Sequence, residues 1–578
     1  MDPKISIRCL PDEVIFIILK HNNFNEIANF GLTCKHYNEV INNNMSFWKN
    51  KFKCALPNIY KVAEKYGSGG GMLNDLKNFM NHKHIVFKEL INMSPKHYWK
   101  IEEFTLKDVS NFFSIASMSN VTYYYTIYIL QELIVKSSEL MDQFCSKKPY
   151  TLTEMHYAKT VLRYLMHCYL AVKWVKDQMT REIVPEAVVI FFLQWVDAGS
   201  LYSTEDIEDI LQEMTNMVKA LLRETYPNQE NEFTPKQIFA AISQVIFQQR
   251  RMIVTLVANL ETLDIRKVWN NNFGHQTVIY AMFRAVALRC GAKCELLVFS
   301  NHLFLEWRCN DNPRSPQVFT ININSGELEP IRRCPFAHNN MAQYKYNADS
   351  LLQSLYTSYV KSMGAIKSWT TTNASDLLGF LGGNYIVPSP YDHFYQYLSR
   401  HFDLMALNTD LNLKHLTEKE LRLIFSLLCL NANTRCFFTK HTNKAVKISE
   451  VKKHHSSVLY AVGMICCHKQ NKYVCLVRGW DLTCGTDWLS TIRADGLDYG
   501  HSQPYYHVVA VDQSERYIAQ EHLLAVTNPS RLYHLEELIA KEFTHFDGFS
   551  YVLNDEKKLE YPEEGPIVEV FRQRYRNM

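Results

Sequence analysis

The side chains that most often hold metals or phosphates do not have the spacing that those functions need. The sequence has 15 cysteines but no C-x-x-C pair, and Cys290 and Cys294 are followed by no second pair at zinc-ligand spacing. Residues 67–71 read Gly-Ser-Gly-Gly-Gly, but no Gly-Lys-Ser/Thr follows, so they predict a flexible linker and not a phosphate loop. We therefore expect no metal and no cofactor.

Residues 274–326 hold the other side chains that could take part in catalysis. Gly274 precedes an apolar helix that we expect to end at Gly291, because glycine suits a helix C-terminus. Strand-like runs follow, with His302 directly before the second run and Asn324 directly after the third. The runs are Cys294–Phe299, Leu303–Trp307 and Val318–Ile323.

This order of one helix and then strands, with a histidine followed by apolar residues and a tryptophan, resembles the transglutaminase-like fold of the SirB1 group. By that resemblance, active relatives carry a cysteine at the helix N-terminus, where the helix dipole and a histidine favour the thiolate. The helix start here, Gly274 to Val278, has no cysteine, and Cys290 lies about 24 Å further along the helix. We expect His302 and Asn324 to be remnants of a degenerate site and the chain to have no catalytic residue.

The first fifty residues predict short amphipathic helices. Pro11 suits the first turn of a helix, and Leu10, Val14, Ile17 and Ile18 recur on one face of it. A unit of about 45 residues buries little surface by itself, so we expect this apolar face to contact a partner.

Two further helices are expected, capped by Asn25 and Thr33. With its opening Leu-Pro-Asp-Glu-Val, the Leu-Thr-Cys-Lys segment and a following tryptophan, this stretch resembles an F-box. The resemblance implies docking on a Skp1-type adaptor, which links such chains to a cullin and a RING protein. The residues implied in adaptor binding are Leu10, Pro11, Val14, Ile17, Ile18, Leu32, Cys34, Lys35 and Trp48.

Residues 457–526 contain short strand-like runs at a spacing that predicts a small closed β-barrel. The runs are Val458–Gly463, Tyr473–Val477, Tyr505–Val511 and Arg516–Ala519. The amino-acid sequence of this stretch resembles that of the YccV/HspQ family, also called hemimethylated-DNA-binding-like. Its aromatic residues are either anchors for a protein partner or barrel core. The candidate surface residues are Trp480, Asp481, Trp488, Gln503, Tyr505, Tyr506 and His507.

The charge of this barrel bears on its partner. Five basic and seven acidic side chains give residues 457–526 a net charge of −2 with histidines neutral. DNA affinity comes mainly from Lys and Arg that neutralise phosphates. We therefore expect the barrel to bind protein and regard DNA as an unlikely partner.

The composition is that of a globular chain of several domains. Of 578 residues, 47% are hydrophobic and 21% charged, and the net charge of +3 demands neither nucleic acid nor a membrane. The N-terminus lacks the apolar core of a signal peptide, and the apolar run Ala187–Leu193 is too short to span a bilayer. An odd cysteine count without a signal peptide predicts reduced thiols in the cytoplasm, the nucleus or both.

The fold class predicted is multidomain α+β: a helical F-box, a mainly helical middle with a transglutaminase-like α+β region, and a C-terminal small β-barrel. Capping boxes at Thr234 and Thr417 support the helical segments. The predicted domains are 1–55 F-box, 56–79 linker, 80–255 helical region, 256–350 SirB1-like region, 351–450 helical segment, 456–526 barrel and 527–578 C-terminal extension.

The order of the three resemblances also resembles that of one group of F-box proteins. It implies a substrate-recognition subunit of an SCF (Skp1–cullin–F-box) ubiquitin ligase that recruits an unidentified protein substrate. Two alternatives stay open. One is a DNA-binding or scaffold protein that acts through the barrel, and the other is a transglutaminase- or cysteine-protease-like enzyme.

Overall fold

A computed structural model gives the fold of this chain in two compact units. Among the described residues, 10–93 and 108–132 form the first unit, and the others form the second. The structure describes residues 10–67, 71–100, 104, 108–116, 118–119, 121–139, 151–180, 182–200, 204–229, 232–299, 302–309, 317–330, 347–364, 366, 368–381, 451–485 and 497–576.

Short helices open the first unit. Asn23 caps the second helix through a capping box with Glu26, so the expectation that Asn25 is the cap is wrong by two residues. Thr33 does not cap the third helix; its hydroxyl donates to the Phe30 carbonyl at 2.6 Å. The helices are α1 (Asp12–Lys20), α2 (Phe24–Gly31), α3 (Lys35–Asn43) and α4 (Met45–Ala55).

The region predicted as a linker, residues 56–79, is mostly helical in the structure. Pro57 occupies the first turn of the next helix, and Ile59 and Phe79 are buried within this region. The glycine run that suggested a linker only separates two helices, because apolar residues on both sides of it pack into the unit. These helices are α5 (Pro57–Tyr66) and α6 (Met72–Ile91).

Further helices continue the chain up to residue 225. Within the second unit, α11 lies at the centre of the helical packing, because almost every one of its side chains is buried. The indole ring of Trp195 stacks on His167 with 4.1 Å between ring centroids, and its N–H donates to the Asn373 carbonyl at 2.9 Å. The helices are α7 (Met93–His97), α8 (Ser110–Ala116), α9 (Thr122–Glu139), α10 (Leu152–Thr180), α11 (Pro185–Val196) and α12 (Thr204–Thr225).

Mixed structure follows between residues 234 and 330. Thr234 and Gln237 form the predicted capping box at the start of α13, and Gly291, with φ +97°, ends α16 as expected. A π-helical turn, Gln244–Gln249, continues α13. The elements are α13 (Pro235–Ser243), β1 (Ile253–Thr255), α14 (Leu260–Leu263), α15 (Ile265–Asn271), β2 (Phe273–His275), α16 (Gln276–Arg289), β3 (Glu295–Phe299), β4 (His302–Cys309), β5 (Gln317–Ile321) and β6 (Leu328–Pro330).

The strands of this region form two sheets. β1 and β2 pair in parallel, whereas β3, β4, β5 and β6 form an antiparallel sheet in sequence order, with α16 packed against β4. Gly326 has φ +73° in the turn before β6, and a Cβ there would lie 2.5 Å from the Ala240 backbone. Only glycine meets both conditions.

Two helices, α17 (Ala348–Met363) and α18 (Trp369–Leu381), follow this sheet and pack against α11. Leu351, Leu352 and Leu355 form the buried face of α17. The rest of the predicted helical segment, including the capping box at Thr417, lies outside the described residues.

A five-stranded antiparallel sheet dominates the C-terminal part of the second unit. Its strand order is β10-β9-β8-β7-β11, and the two edge strands are joined by only the turn Gln520–His522, so the sheet must curl. Residues Val458–Gly463, predicted as a strand, are irregular and end in a turn at 462–463. The strands are β7 (Ile465–His468), β8 (Val474–Asp481), β9 (Tyr505–Ala510), β10 (Glu515–Ala519) and β11 (Leu523–Ala525).

The segment predicted as a separate C-terminal extension is part of this sheet domain. Met464 forms a β-bridge with Ser550, and the Tyr551 N–H donates to the Gly463 carbonyl at 2.9 Å. A Cβ on Gly479 would lie 2.7 Å from the Tyr561 hydroxyl, so glycine permits this close approach. The elements are α19 (Glu536–Ile539), β12 (Phe543–Phe546), β13 (Tyr551–Leu553), α20 (Asp555–Glu560) and α21 (Glu564–Arg576).

Candidate docking surfaces

Helix α1 presents one buried and one exposed apolar face. Ile15 and Leu19 point into the first unit and are buried. Val14, Ile17 and Ile18 lie on the outward face, where 63% of Ile17 is exposed. An exposed β-branched face on an amphipathic helix costs free energy in water, so it indicates a surface that a partner covers.

The other residues predicted for adaptor binding have mixed positions. Leu32, just after α2, is 77% exposed, and Pro11 and Lys35 are also exposed. Leu10 and Cys34 are partly buried. We call the set Val14, Ile17, Ile18 and Leu32 the apolar patch of the first unit.

Trp48 does not belong to this surface, which corrects its assignment to adaptor binding. It is 5% exposed, and its indole N–H donates to the Ile41 carbonyl at 2.7 Å. Its ring makes an edge contact with Phe47, whose ring in turn contacts Phe16 of α1 with centroids 4.9 Å apart. Trp48 therefore stabilises the helices that carry the patch.

Polar contacts help to fix the geometry around the apolar patch. The Lys51 ammonium of α4 donates to the Lys20 carbonyl at the end of α1 at 2.7 Å, which satisfies one terminal carbonyl of that helix. His36 lies 3.4 Å from the Asp12 carboxylate, and both side chains are exposed. Such an exposed pair adds little stability.

The transglutaminase-like comparison rests on His302 and Asn324. His302 begins β4 and pairs in register with Phe299, but its side chain lies outside the described part of the structure. Asn324 is exposed in the turn after β5, and its N–H donates to the Asn322 side chain at 3.1 Å. The two residues therefore remain a predicted remnant of a site.

The start of α16 carries no cysteine. His275 caps it, with its imidazole accepting from the Thr277 N–H at 3.3 Å, and burial lowers the pKa of His275 to about 4. Burial also raises the pKa of Cys290 and raises that of Cys294 to about 12, so both stay thiols near neutral pH. Residues 274–278 at this helix start include no cysteine.

Most of the aromatic residues predicted on the barrel surface are core residues. Trp480, Tyr505 and Tyr506 are buried, and so is Gln503, whose side-chain Oε1 accepts from the Glu521 backbone N–H at 3.0 Å. These residues therefore cannot anchor a partner without unfolding of the sheet. Trp488 lies outside the described residues.

Asp481 and His507 remain at the surface and form part of a polar cluster. One Asp481 oxygen accepts from the Lys452 ammonium at 2.7 Å, and the other accepts from the Tyr517 hydroxyl at 2.8 Å and contacts the His507 Nε2 at 2.9 Å. Burial by itself would raise the pKa of Asp481, but hydrogen bonds from His507, Lys452 and Tyr517 outweigh it and hold that pKa well below its usual range. The carboxylate is therefore ionised and well satisfied.

Lys452 and Tyr517 were not predicted as members of this cluster. The sequence suggests that Lys452 belongs to a solvated basic linker, whereas its N–H donates to the Glu560 carbonyl and its side chain also donates to the Trp480 carbonyl. The contacts join residues about 30 or more positions apart. No local pattern in the sequence signals them.

Acidic partners neutralise two of the basic side chains on the sheet domain. The Arg478 guanidinium contacts Glu542 and Glu515, each at 2.7 Å. Arg516 pairs with Asp512 and lies 3.9 Å from the centre of the Tyr473 ring. Neither arginine is available to a phosphate backbone without loss of these contacts.

Two classes of site have no candidate in the described part of the chain. No group of three His, Cys, Asp or Glu residues there is arranged to hold a metal ion. Among the same residues, no helix combines the length and apolar character required to span a bilayer.

Comparisons with known proteins agree with the two ends of the chain. Residues 7–54 match the family described as F-box-like, and residues 458–550 match the family described as Hemimethylated DNA-binding protein YccV like. The second match extends beyond residue 526, in agreement with the packing of β12 and β13 on the sheet domain. The SirB1-like resemblance of the middle region stays a prediction.

The curated relatives are proteins called F-box only protein 21. Those of Pongo abelii and Homo sapiens are 37% identical over 121 residues, and that of Mus musculus is 36% identical over the same length. The matched part is 21% of this chain, and the chain spans only 19% of the length of these relatives. No solved structure matches the chain.

Proposed function

We propose that this chain is the substrate-recognition subunit of an SCF-type ubiquitin ligase and binds a Skp1-type adaptor through the apolar patch of the first unit. One observation carries the proposal: Val14, Ile17, Ile18 and Leu32 are each exposed, and all four lie within the residues that match the F-box-like family. The relatives are F-box proteins by name, which supports the same reading.

The energetics of the patch support a docking role. Full burial of one aliphatic side chain of this size contributes about 1.5–3 kcal/mol. Val14, Ile17, Ile18 and Leu32 are between 36% and 77% exposed before binding, so their burial supplies part of the free energy of a complex and other interface contacts supply the rest. A helical unit that must exist alone in water gains nothing from this exposure.

In this proposal the rest of the chain recruits a protein substrate. The cullin and RING partners, with their ubiquitin-conjugating enzyme, carry out the transfer, so the chain needs no catalytic residue. The lack of a cysteine at the start of α16 is consistent with that division of roles. Such a subunit would act in the cytoplasm, the nucleus or both.

The test is a binding titration of the full-length chain with a purified Skp1-type adaptor. We expect the double variant Ile17→Asp/Leu32→Asp to weaken binding by at least about 100-fold, which is about 2.7 kcal/mol, because two carboxylates would be desolvated at the interface. Ile91→Asp is the matched control, since Ile91 is 55% exposed at the end of α6 but lies outside the F-box-like match. Equal binding by the wild type and the double variant would refute the proposed docking face.

DNA binding is the second candidate, and the description of the YccV-like family is the observation that favours it. The net negative charge of residues 457–526 and the ion pairs of Arg478 and Arg516 argue against it. A scaffold role without ubiquitin transfer would require adaptor binding to be absent, so the same titration tests it.

A further inference from the structure

A cavity of about 570 Å³ lies in the second unit, between α10, the α17–α18 connection and α19. Its volume falls in the range of about 300–1,000 Å³ that is typical of small-ligand sites. The floor includes Met155 and Ala540, which are buried, and the rim includes Val360, Thr372 and Ser375, which are exposed. A ligand could therefore enter from solvent and reach an apolar floor.

One wall of this cavity is cationic. Lys159 and Arg163 stand one helical turn apart on α10 and both line it. The imidazole of His156, which lines the same wall, has a pKa lowered to about 4, first by burial and then by the charges of Lys541, Lys159 and Arg163. His156 is therefore neutral, and the positive potential of the wall comes from the lysines and the arginine.

Two carboxylates of the described residues contact the basic side chains of this wall. Glu537 pairs with Lys159 and also accepts from the backbone N–H of Trp369 at 2.9 Å, at the N-terminus of α18. Asp376 lies 3.8 Å from Arg163 and 3.6 Å from His167. Lys159 and Arg163 are the cations and Glu537 is the anion among the side chains that line the cavity, whereas Asp376 contacts Arg163 without lining it.

The indole of Trp369 supplies a further donor. Trp369 lines the cavity, the Lys159 ammonium lies 5.4 Å from the centre of its ring, and its indole N–H is buried without an acceptor among the described residues. A buried donor without an acceptor costs about 1–3 kcal/mol. A ligand with an acceptor group within its reach would remove that cost.

We propose that this cavity binds a carboxylate carried on a short apolar group, that is, an acidic or C-terminal residue of a protein recruited by this chain. The apolar part would contact Met155 and Ala540, and the carboxylate would accept from Lys159, Arg163 or the Trp369 indole. This assignment rests on the proposed function, since it names the class of substrate residue that the receptor would recognise.

Fluorescence polarisation of the full-length chain with labelled short peptides tests the assignment. One peptide ends in leucine with a free carboxylate, its twin ends in the leucine amide, and a third is amidated but carries an internal glutamate beside the leucine. We expect at least one of the two acid-bearing peptides to bind at least tenfold more tightly than the amide twin. The first and third peptides distinguish a C-terminal carboxylate from an acidic side chain.

Variants of the chain give a second, independent measurement. We expect Lys159→Gln to weaken binding of the acid-bearing peptide about tenfold, and Ser375→Trp at the exposed rim to abolish it by filling the entrance. Lys236→Gln, at an exposed position on α13, is the matched control and should bind as the wild type does. Thermal unfolding of each variant checks that the fold is retained.

The assignment is wrong if no acid-bearing peptide binds at about 1 mM, or if amidation and Lys159→Gln both leave the affinity unchanged. Adaptor binding is measured on the same preparations. A chain that binds adaptor but no carboxylate refutes the cavity assignment alone, whereas a chain that binds the carboxylate but no adaptor refutes the ligase role alone.

Discussion

The indole N–H of Trp480 in β8 donates to the Glu564 carboxylate at the start of α21, at 3.0 Å. The other Glu564 oxygen accepts from the Val462 N–H at 2.6 Å, and both partners are buried. The C-terminal helix is therefore bound to the interior of the sheet domain, and residues after 526 are needed for its stability.

Glu564→Ala should destabilise the sheet domain, because it leaves the Trp480 and Val462 donors buried without an acceptor. We expect a loss of about 1–3 kcal/mol in the local free energy of opening, measured by hydrogen exchange of the β8 amides. Glu569→Ala, an exposed change on the same helix, is the control and should stay within about 0.5 kcal/mol of the wild type. Equal exchange in both variants would show that the contact does not hold the domain together.

The Asp481 cluster should make the stability of the sheet domain depend on pH. The folded state lowers the pKa of Asp481, so the ionised carboxylate contributes stability above its unfolded value of about 3.9, and the contribution is lost as the pH falls. In Asp481→Asn, the β8 and β9 amides should therefore exchange hydrogen faster at pH 7 than they do in the wild type. The difference should shrink as the pH drops below about 4.

The exposed Asp498 provides the control for this pH profile, and Asp498→Asn should follow the wild type at every pH. The difference in amide exposure between Asp481→Asn and the wild type could instead stay constant from neutral to acid pH. That result would mean that the packing of the side chain, and not its carboxylate charge, provides the stability.

Trp48 should act on adaptor binding only through folding. Trp48→Phe removes the N–H that satisfies the buried Ile41 carbonyl, which should lower the stability of the first unit by about 1–2 kcal/mol. At a temperature where the variant remains folded by circular dichroism, its affinity for the adaptor should stay within about threefold of the wild type. A larger loss in the folded variant would place Trp48 in the interface.

The full-length chain should not bind DNA through the sheet domain. Arg478 and Arg516 are held in ion pairs with Glu542, Glu515 and Asp512, and the surrounding charge is negative. A mobility-shift titration on hemimethylated and unmethylated duplex near physiological salt should show no saturable binding below about 10 μM. Saturable binding that weakens steeply with added salt would contradict this prediction.

The cysteines of the α16 region should be unreactive, and the chain should not deamidate or cross-link glutamine. Burial raises the pKa of Cys294 to about 12 and also raises that of Cys290, so little thiolate forms. Iodoacetamide mapping by mass spectrometry should modify the exposed Cys54 well before Cys294. Glutamine deamidation that is lost on His302→Ala would show that the region is catalytic after all.

Local signals in the sequence predicted local structure well. The capping box at Thr234 and the glycine stop at Gly291 were found where expected, because the residues that make these contacts lie within a few positions of one another. The cap of α2 was misplaced from Asn23 to Asn25, since either asparagine precedes an apolar periodic run. The prediction of a linker at residues 56–79 was wrong, because a short glycine run cannot show whether the flanking helices pack into the unit.

The sequence by itself determined the two ends of the chain: an F-box-like start with an apolar outward face on α1, and a YccV-like sheet domain. Both depend on periodicity or on short sequence motifs, whose residues lie close together in the chain. The tertiary structure alone decided which aromatic residues are core, and it placed Trp48, Trp480 and Tyr506 inside. It also joined Lys452 to Asp481 and Glu564 to Trp480, because such pairs form between segments that only the folded chain brings together.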